Sequence, residues 1–244
     1  MSGEKNLAFL EFVAPGVRKL HPYEPGMPVE ELQRRLGVSN AIKLASNENP
    51  LGPSPRVKEA LAAAATGNLA LYPDDGGFRL KARLAALHGV GPESITLCNG
   101  SNTLLDLVAR VFLGPGRAGM YSQYAFAVYP LVTLAQSAEA IVTPALPPDS
   151  AMPYGDDLEA MARMLRPDVA VIFMASPNNP TGTWVEPAAF ERFIAQVPAH
   201  TVVVLDEAYH HFQDPQTRID SAHLMRQYPN LMVTRTFSKV HGIA

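Results

Sequence analysis

From about residue 95 onward the chain alternates short apolar runs with stretches whose apolar residues recur every three to four positions. The runs predict strands at 95–98, 118–121, 140–143, 169–174, 201–205 and 231–233. The stretches between them predict helices at 102–113, 126–135, 156–165 and 187–196. The runs Val169-Ala170-Val171-Ile172-Phe173-Met174 and Thr201-Val202-Val203-Val204-Leu205 lack polar alternation, the pattern of strands covered on both faces. Repeated strand-then-helix units of this kind predict an α/β fold with a largely parallel central sheet and helices on both faces.

The first hundred residues are less regular. Residues 1–27 are interrupted by Pro15-Gly16, His21-Pro22 and Pro25-Gly26 and read as an arm packed on something else. Residues 28–37 read as a helix stopped by Gly37, and 41–45 as a strand. Ser54 is placed to cap a helix that begins at Pro55 and runs to about Thr66. An amphipathic helix follows at 78–88, where His88 sits as a helix-end residue favoured by the dipole.

Composition narrows the classes. The 244 residues are 47% hydrophobic and 18% charged, with a net charge of -3, an ordinary globular profile. Mild acidity argues against nucleic acid, which calls for a clustered basic surface. No apolar run approaches the ~18 residues of a membrane span. Cys98 is the single cysteine, so neither an internal disulfide nor a cysteine-only metal site is available. Glu4 and Glu11 surround a very short apolar patch, a poor signal peptide, and a cytoplasmic location is expected.

In parallel sheets ligands bind where loops leave the carboxyl ends of strands, and the polar residues fall there. After 95–98 comes Asn99-Gly100-Ser101-Asn102-Thr103, whose glycine and first helical turn suit an anion. No GxGxxG follows that strand and no GxxxxGK[ST] occurs, so the dinucleotide and P-loop fingerprints are missing. After 169–174 comes the rigid loop Ser176-Pro177-Asn178-Asn179-Pro180-Thr181-Gly182, in which Asn179 offers an amide to a phenolate-like oxygen. After 201–205 comes Asp206-Glu207-Ala208-Tyr209. A carboxylate at the end of a buried strand needs a cation or donors, and a protonated pyridine nitrogen is one such partner. Past 231–233 lies Thr234-Arg235-Thr236-Phe237-Ser238-Lys239. A loop lysine between hydroxyls can condense with an aldehyde while the hydroxyls bind a phosphate. Glu207 and His211 lie four apart but after a strand and without HExxH, so no metal site is expected.

These motifs, with Asn47-Glu48-Asn49-Pro50 and Tyr72-Pro73-Asp74, run in one order over nearly the whole chain. In that order they resemble the class I/II pyridoxal-phosphate aminotransferases of fold type I, and most the histidinol-phosphate aminotransferases. The resemblance implies pyridoxal 5′-phosphate held as a Schiff base on Lys239, which then acts as base in the 1,3-proton shift. It implies Asp206 against the pyridinium nitrogen, with Asn179 and Tyr209 on the ring oxygen. Gly100, Ser101 and Asn102 with the Thr236 and Ser238 hydroxyls would hold the phosphate, and Tyr124 would stack on the ring. It further implies a homodimer with composite sites, in which Tyr72 reaches the neighbour's cofactor phosphate and Tyr23 the neighbour's substrate. Asn47 joins Tyr23 as a substrate-binding residue.

The implied reaction passes an amino group between histidinol phosphate, or an aromatic amino acid, and 2-oxoglutarate or glutamate, within histidine biosynthesis. A decarboxylase of the same fold and an inactive, cofactor-binding fragment are the alternatives. The implied domains are residues 1–45, an N-terminal arm with the start of a small-domain region, and 46–244, an incomplete cofactor-binding large domain. Two departures from the family pattern stand out. Asn102 replaces a common Asp, and the chain stops at Ala244, before the family's Gly-Leu-Arg segment and C-terminal small domain.

Overall fold

The computed structural model describes residues 13–21 and 26–244, which form two compact units. One contains residues 13–20 and Asn68–Thr236; the other contains residues 21 and 26–67 with Phe237–Ala244.

The first unit is built on five strands: β1 (Ala118–Ser122), β2 (Glu139–Thr143), β3 (Val169–Ala175), β4 (Val202–Asp206) and β5 (Leu231–Thr234). All neighbours pair in parallel in the order β2-β1-β3-β4-β5. Its helices are α3 (Phe78–His88), α4 (Ser101–Phe112), α5 (Val128–Ala135), α6 (Leu158–Arg163), α7 (Pro187–Ile194) and α8 (Ser221–Gln227).

Because successive strand residues point to opposite faces, the unbroken apolar runs feed two cores at once. On one face Met120, Ile172, Met174, Val203 and Leu205 pack with Met161 of α6, Phe190 and Phe193 of α7 and Leu224 of α8. On the other, Tyr121, Val171, Phe173, Val202 and Val204 pack with Leu105 and Ala109 of α4 and with Val128, Tyr129 and Val132 of α5. Full burial of each large side chain contributes roughly 1.5–3 kcal/mol. Gly119 lets α5 approach β1: a Cβ there would stand 2.7 Å from Thr133 Oγ1.

The expected α/β fold with a parallel sheet and helices on both faces is therefore present. Two expected strands are not. Residues 95–98 follow a 3-10 turn at Pro92–Ser94 and, among the described residues, form no strand ladder. Among the described residues, 41–45 join no ladder either, and Ile42 and Leu44 project to solvent at 84% and 88% exposure. In both places the apolar residues lack the neighbouring ladder that would turn an extended segment into a strand. Helix α8, capped by the Asp220 side chain at His223 N, and 3-10 turns at His210–Phe212 and Pro215–Thr217 arise where the sequence pattern is weak. Within the same unit Val17–Lys19 forms a 3-10 turn against α5, tied by Gly16 N donating to Ser137 Oγ at 3.0 Å.

The second unit holds α1 (Val29–Leu36) and α2 (Pro55–Ala65). Gly37 ends α1 in the left-handed conformation, and the Ser54 side chain caps α2, as the sequence predicts. Among the described residues no helix is long and apolar enough to cross a membrane.

Candidate active site at the carboxyl ends of the sheet

Strand β4 ends on Asp206, in register between Ala175 of β3 and Thr234 of β5. The residue is only 3% exposed. Thr234 Oγ1 donates to its Oδ1 at 2.9 Å and the Ala208 N–H to the same oxygen at 3.2 Å. The Tyr129 hydroxyl donates to Oδ2 at 3.3 Å. Burial pushes the Asp206 carboxyl above the usual carboxylate range, and these three donors pull the other way. All three are neutral groups. A protonated nitrogen on a ligand is the partner that would favour the anion further.

Glu207 is met differently. Its side chain is 2% exposed, and Arg235 reaches Oε2 with Nε at 2.7 Å and Nη2 at 2.6 Å. Burial raises its carboxyl, against the lowering effect of Arg235. Arg235 also lies 3.2 Å from His88 Nδ1 and 3.5 Å from Ser221 Oγ. Burial, then Arg235, lowers the His88 pKa, so His88 stands as a neutral acceptor rather than the helix-end cation expected from its position. His210, 3.7 Å from Glu207 Oε1, is lowered to about 4, chiefly by burial, and is neutral as well.

The strand order reverses between β1 and β3, where the connections leave in opposite directions and open a crevice. Tyr124 stands there, 38% exposed, its ring edge-on to Tyr154 at 5.3 Å. Asn178 bridges the two loops: its Nδ2 donates to Tyr124 C=O at 2.9 Å and to Thr181 Oγ1 at 2.8 Å. The loop is closed by Asn178 N to Thr183 C=O at 2.7 Å and Gly182 N to Asn178 C=O at 2.9 Å. Ser176–Pro177 and Asn179–Pro180 are cis. Asn178 is thus occupied in holding the loop. Asn179 is half-buried, and among the described residues no hydrogen bond involves its amide.

At the start of α4, Gly100 adopts φ 79° and ψ 169°, with nothing within 4 Å of where a Cβ would lie. No side chain caps this helix, so the first-turn N–H groups of Ser101 and Asn102 suit an anion. Tyr209 is half-buried, its ring 6.4 Å from Phe212. Thr236 follows β5 by two residues, and Tyr72 is fully exposed. The first unit thus carries Asp206, Tyr209, Gly100, Ser101, Asn102, Tyr124, Asn179, Thr236 and Tyr72.

Lys239, Ser238 and Asn47 belong to the second unit. Lys239 Nζ donates to Ser46 C=O at 3.0 Å, and its own C=O accepts from Gly242 N at 3.0 Å. Asn49 Nδ2 donates to Val240 C=O at 2.8 Å, which binds the 46–53 loop to the lysine turn. Asn47 is exposed with φ 51°. Tyr23 lies outside the described residues.

A buried acid with neutral donors, an unused amide and an uncapped helix start fit a ligand with a basic ring nitrogen, an oxygen and an anionic group. Similarity to known proteins decides the family. Aminotransferase class I and II matches residues 39–244. The chain belongs to that family. It is 48% identical over 235 residues to histidinol-phosphate aminotransferase 1 of Idiomarina loihiensis, covering 96% of this chain and 62% of the relative. It is 49% identical over 238 residues to histidinol-phosphate aminotransferase 2 of Pseudomonas aeruginosa, covering 97% and 63%. The crystal structure of histidinol-phosphate aminotransferase from Sinorhizobium meliloti in complex with pyridoxal-5′-phosphate superimposes with a TM-score of 0.81 at 26% identity. That match covers 94% of this chain and 59% of the other. The chain therefore spans about three-fifths of the length of these relatives.

Four residues of this site carry no signal in the sequence. Tyr129 lies within the expected helix 126–135, Thr234 and Arg235 in the stretch past 231–233, and Asn178 in the loop 176–182, with no role assigned to any of them. Only the fold brings them to Asp206, Glu207 and Tyr124.

Proposed function

We propose that this aminotransferase family member binds pyridoxal 5′-phosphate and transfers an amino group between histidinol phosphate and 2-oxoglutarate, in histidine biosynthesis. The observation that carries the reading is Asp206, a buried carboxylate at a strand end whose donors are neutral hydroxyls and a backbone N–H. Relatives about half identical to this chain bear the name of the reaction.

Pyridoxal phosphate, when bound, supplies a ring that withdraws electrons from the substrate carbon. Each residue then has a task of its own. Asp206 keeps the proton on the ring nitrogen. Asn179 and Tyr209 bind the ring oxygen, and Tyr124 covers a ring face. Gly100, Ser101 and Asn102, with the hydroxyls of Thr236 and Ser238, bind the phosphate. Lys239 would hold the group through its Nζ, condensing with the aldehyde with loss of water, and, once a substrate amine has displaced it, its free amine would carry the proton. Asn47 and Tyr23 serve the substrate, with Tyr23 and the exposed Tyr72 acting across a homodimer. The setting is cytoplasmic.

The test is an absorption spectrum of the chain with added pyridoxal phosphate, before and after borohydride, alongside Lys239→Ala. A visible band that borohydride fixes to wild type and not to the variant supports the reading. Conversion of the band by histidinol phosphate but not phenylalanine supports the donor. Absence of any band overturns the cofactor assignment for this chain.

A further inference from the structure

Tyr129 is wholly buried in α5, yet its phenol ends at a carboxylate, Asp206, with the Asp156 carboxylate also near enough to act on it. Its ring stacks on Phe173 with centroids 5.1 Å apart and an interplanar angle of 12°. Phe126 closes the edge at 5.8 Å and 88°. Ring contacts on two sides fix both side-chain torsions, so the hydroxyl is delivered to one place. A phenylalanine would fill the same apolar space, and burying a phenol is unfavourable unless its hydroxyl finds a partner. The partner is Asp206 Oδ2 at 3.3 Å.

The arrangement around the carboxylate is unequal. Thr234 Oγ1 and the Ala208 N–H both address Oδ1, from the β5 end and from the backbone just past β4. Tyr129 addresses Oδ2. A donor on either oxygen restrains rotation about the Cβ–Cγ bond, and among the described residues Tyr129 supplies the only side-chain restraint on Oδ2, from the opposite side to Thr234. Tyr129 also favours the anion against burial, because a hydrogen bond to the charged form stabilises it.

We propose that Tyr129 is a positioning residue for Asp206, setting the plane and charge of the carboxylate that meets a protonated ring nitrogen. The proposal rests on the cofactor reading above and extends it to a residue that touches neither cofactor nor substrate.

Tyr129→Phe tests it, since the ring packing survives and only the hydroxyl is lost. Two ligands are titrated into the wild-type chain and the variant: pyridoxal phosphate, and its 1-deaza analogue with carbon in place of the ring nitrogen. The variant is expected to bind pyridoxal phosphate about fivefold more weakly and the analogue with unchanged affinity, the size of one ordinary net hydrogen bond. Equal losses for both ligands would show that the hydroxyl acts through packing and overturn the proposal. So would no loss for either.

A second measurement needs no cofactor. With carbon-13 in the aspartate carboxyls, the Asp206 signal of the ligand-free chain is expected to titrate at higher pH in Tyr129→Phe than in wild type. An unchanged titration overturns the proposal. If wild type fails to bind pyridoxal phosphate, the cofactor reading falls, and the titration alone decides the role of Tyr129.

Discussion

Asp206 and Glu207 are consecutive residues, each almost sealed from water, and they project to different surroundings at the end of β4. Glu207 meets a guanidinium at two nitrogens, braced by Ser221 and His88. Asp206 meets two hydroxyls and a backbone N–H. Burial raises both carboxyls, but only Glu207 has an arginine pulling it back. Glu207 is a fastening between the ends of β4 and β5 and the helices α3 and α8. Asp206 is held in place by neutral groups, and on the proposed function a ligand brings the charge that faces it. Pairing chemistry, more than burial, separates the acid fastened by an arginine from the one proposed to meet the cofactor.

The strongest way to break this contrast is to remove the cation. Arg235→Ala leaves the Glu207 charge buried without its partner, which is expected to lower stability by ~3–5 kcal/mol. Urea unfolding measures it. A loss below ~1 kcal/mol would mean that Glu207 does not depend on Arg235. Replacing both residues by methionine is expected to recover much of the loss, because the uncompensated charge disappears with the pair.

A third acid sharpens the comparison. Asp156 is half-buried ahead of α6, and burial pushes its carboxyl from 3.8 up to about 6. Between those values the folded chain holds a proton that the unfolded chain has released. Stability therefore falls as pH rises from about 4 to about 6 and then levels off. Asp156→Asn is expected to remove that part of the slope and gain on the order of 2 kcal/mol at pH 7 relative to pH 4. Denaturant unfolding of both chains at the two pH values checks it, and identical slopes would refute it.

The smallest effect concerns the hydroxyl on Oδ1. Thr234→Val keeps the shape and deletes the donor, which is expected to destabilise the chain by about 1 kcal/mol. Thermal unfolding reads this, and an unchanged midpoint would show that Thr234 does not support the carboxylate.

Much of this was visible in the sequence, for identifiable reasons. Strands buried on both faces announce themselves as unbroken apolar runs, so β3 and β4 were legible almost to the residue. Residues 41–45 and 95–98 look similar over a few positions, but a strand also needs a neighbour, which no local pattern encodes. Asp206, Asn179 and Lys239 stand out in the sequence because each is a polar group at or just past the end of an apolar run, Asp206 closing β4 itself. Their supports do not. Thr234 lies 28 residues from Asp206 and Tyr129 lies 77 away, joined only by the parallel stacking of β4 and β5 and the return of α5 over the sheet. Nor does sequence distinguish Asn178 from Asn179: the first amide holds the loop, and among the described residues no hydrogen bond involves the second.

The central claim is that Asp206 awaits a cationic ring nitrogen. The most direct test is the dissociation constant of pyridoxal phosphate for the wild-type chain and for Asp206→Asn, followed by the change in cofactor absorbance. Asparagine keeps the size of the side chain and cannot carry the charge, so binding is expected to weaken by at least about tenfold while the unfolding midpoint holds or rises. Equal affinity in the two chains would contradict the account.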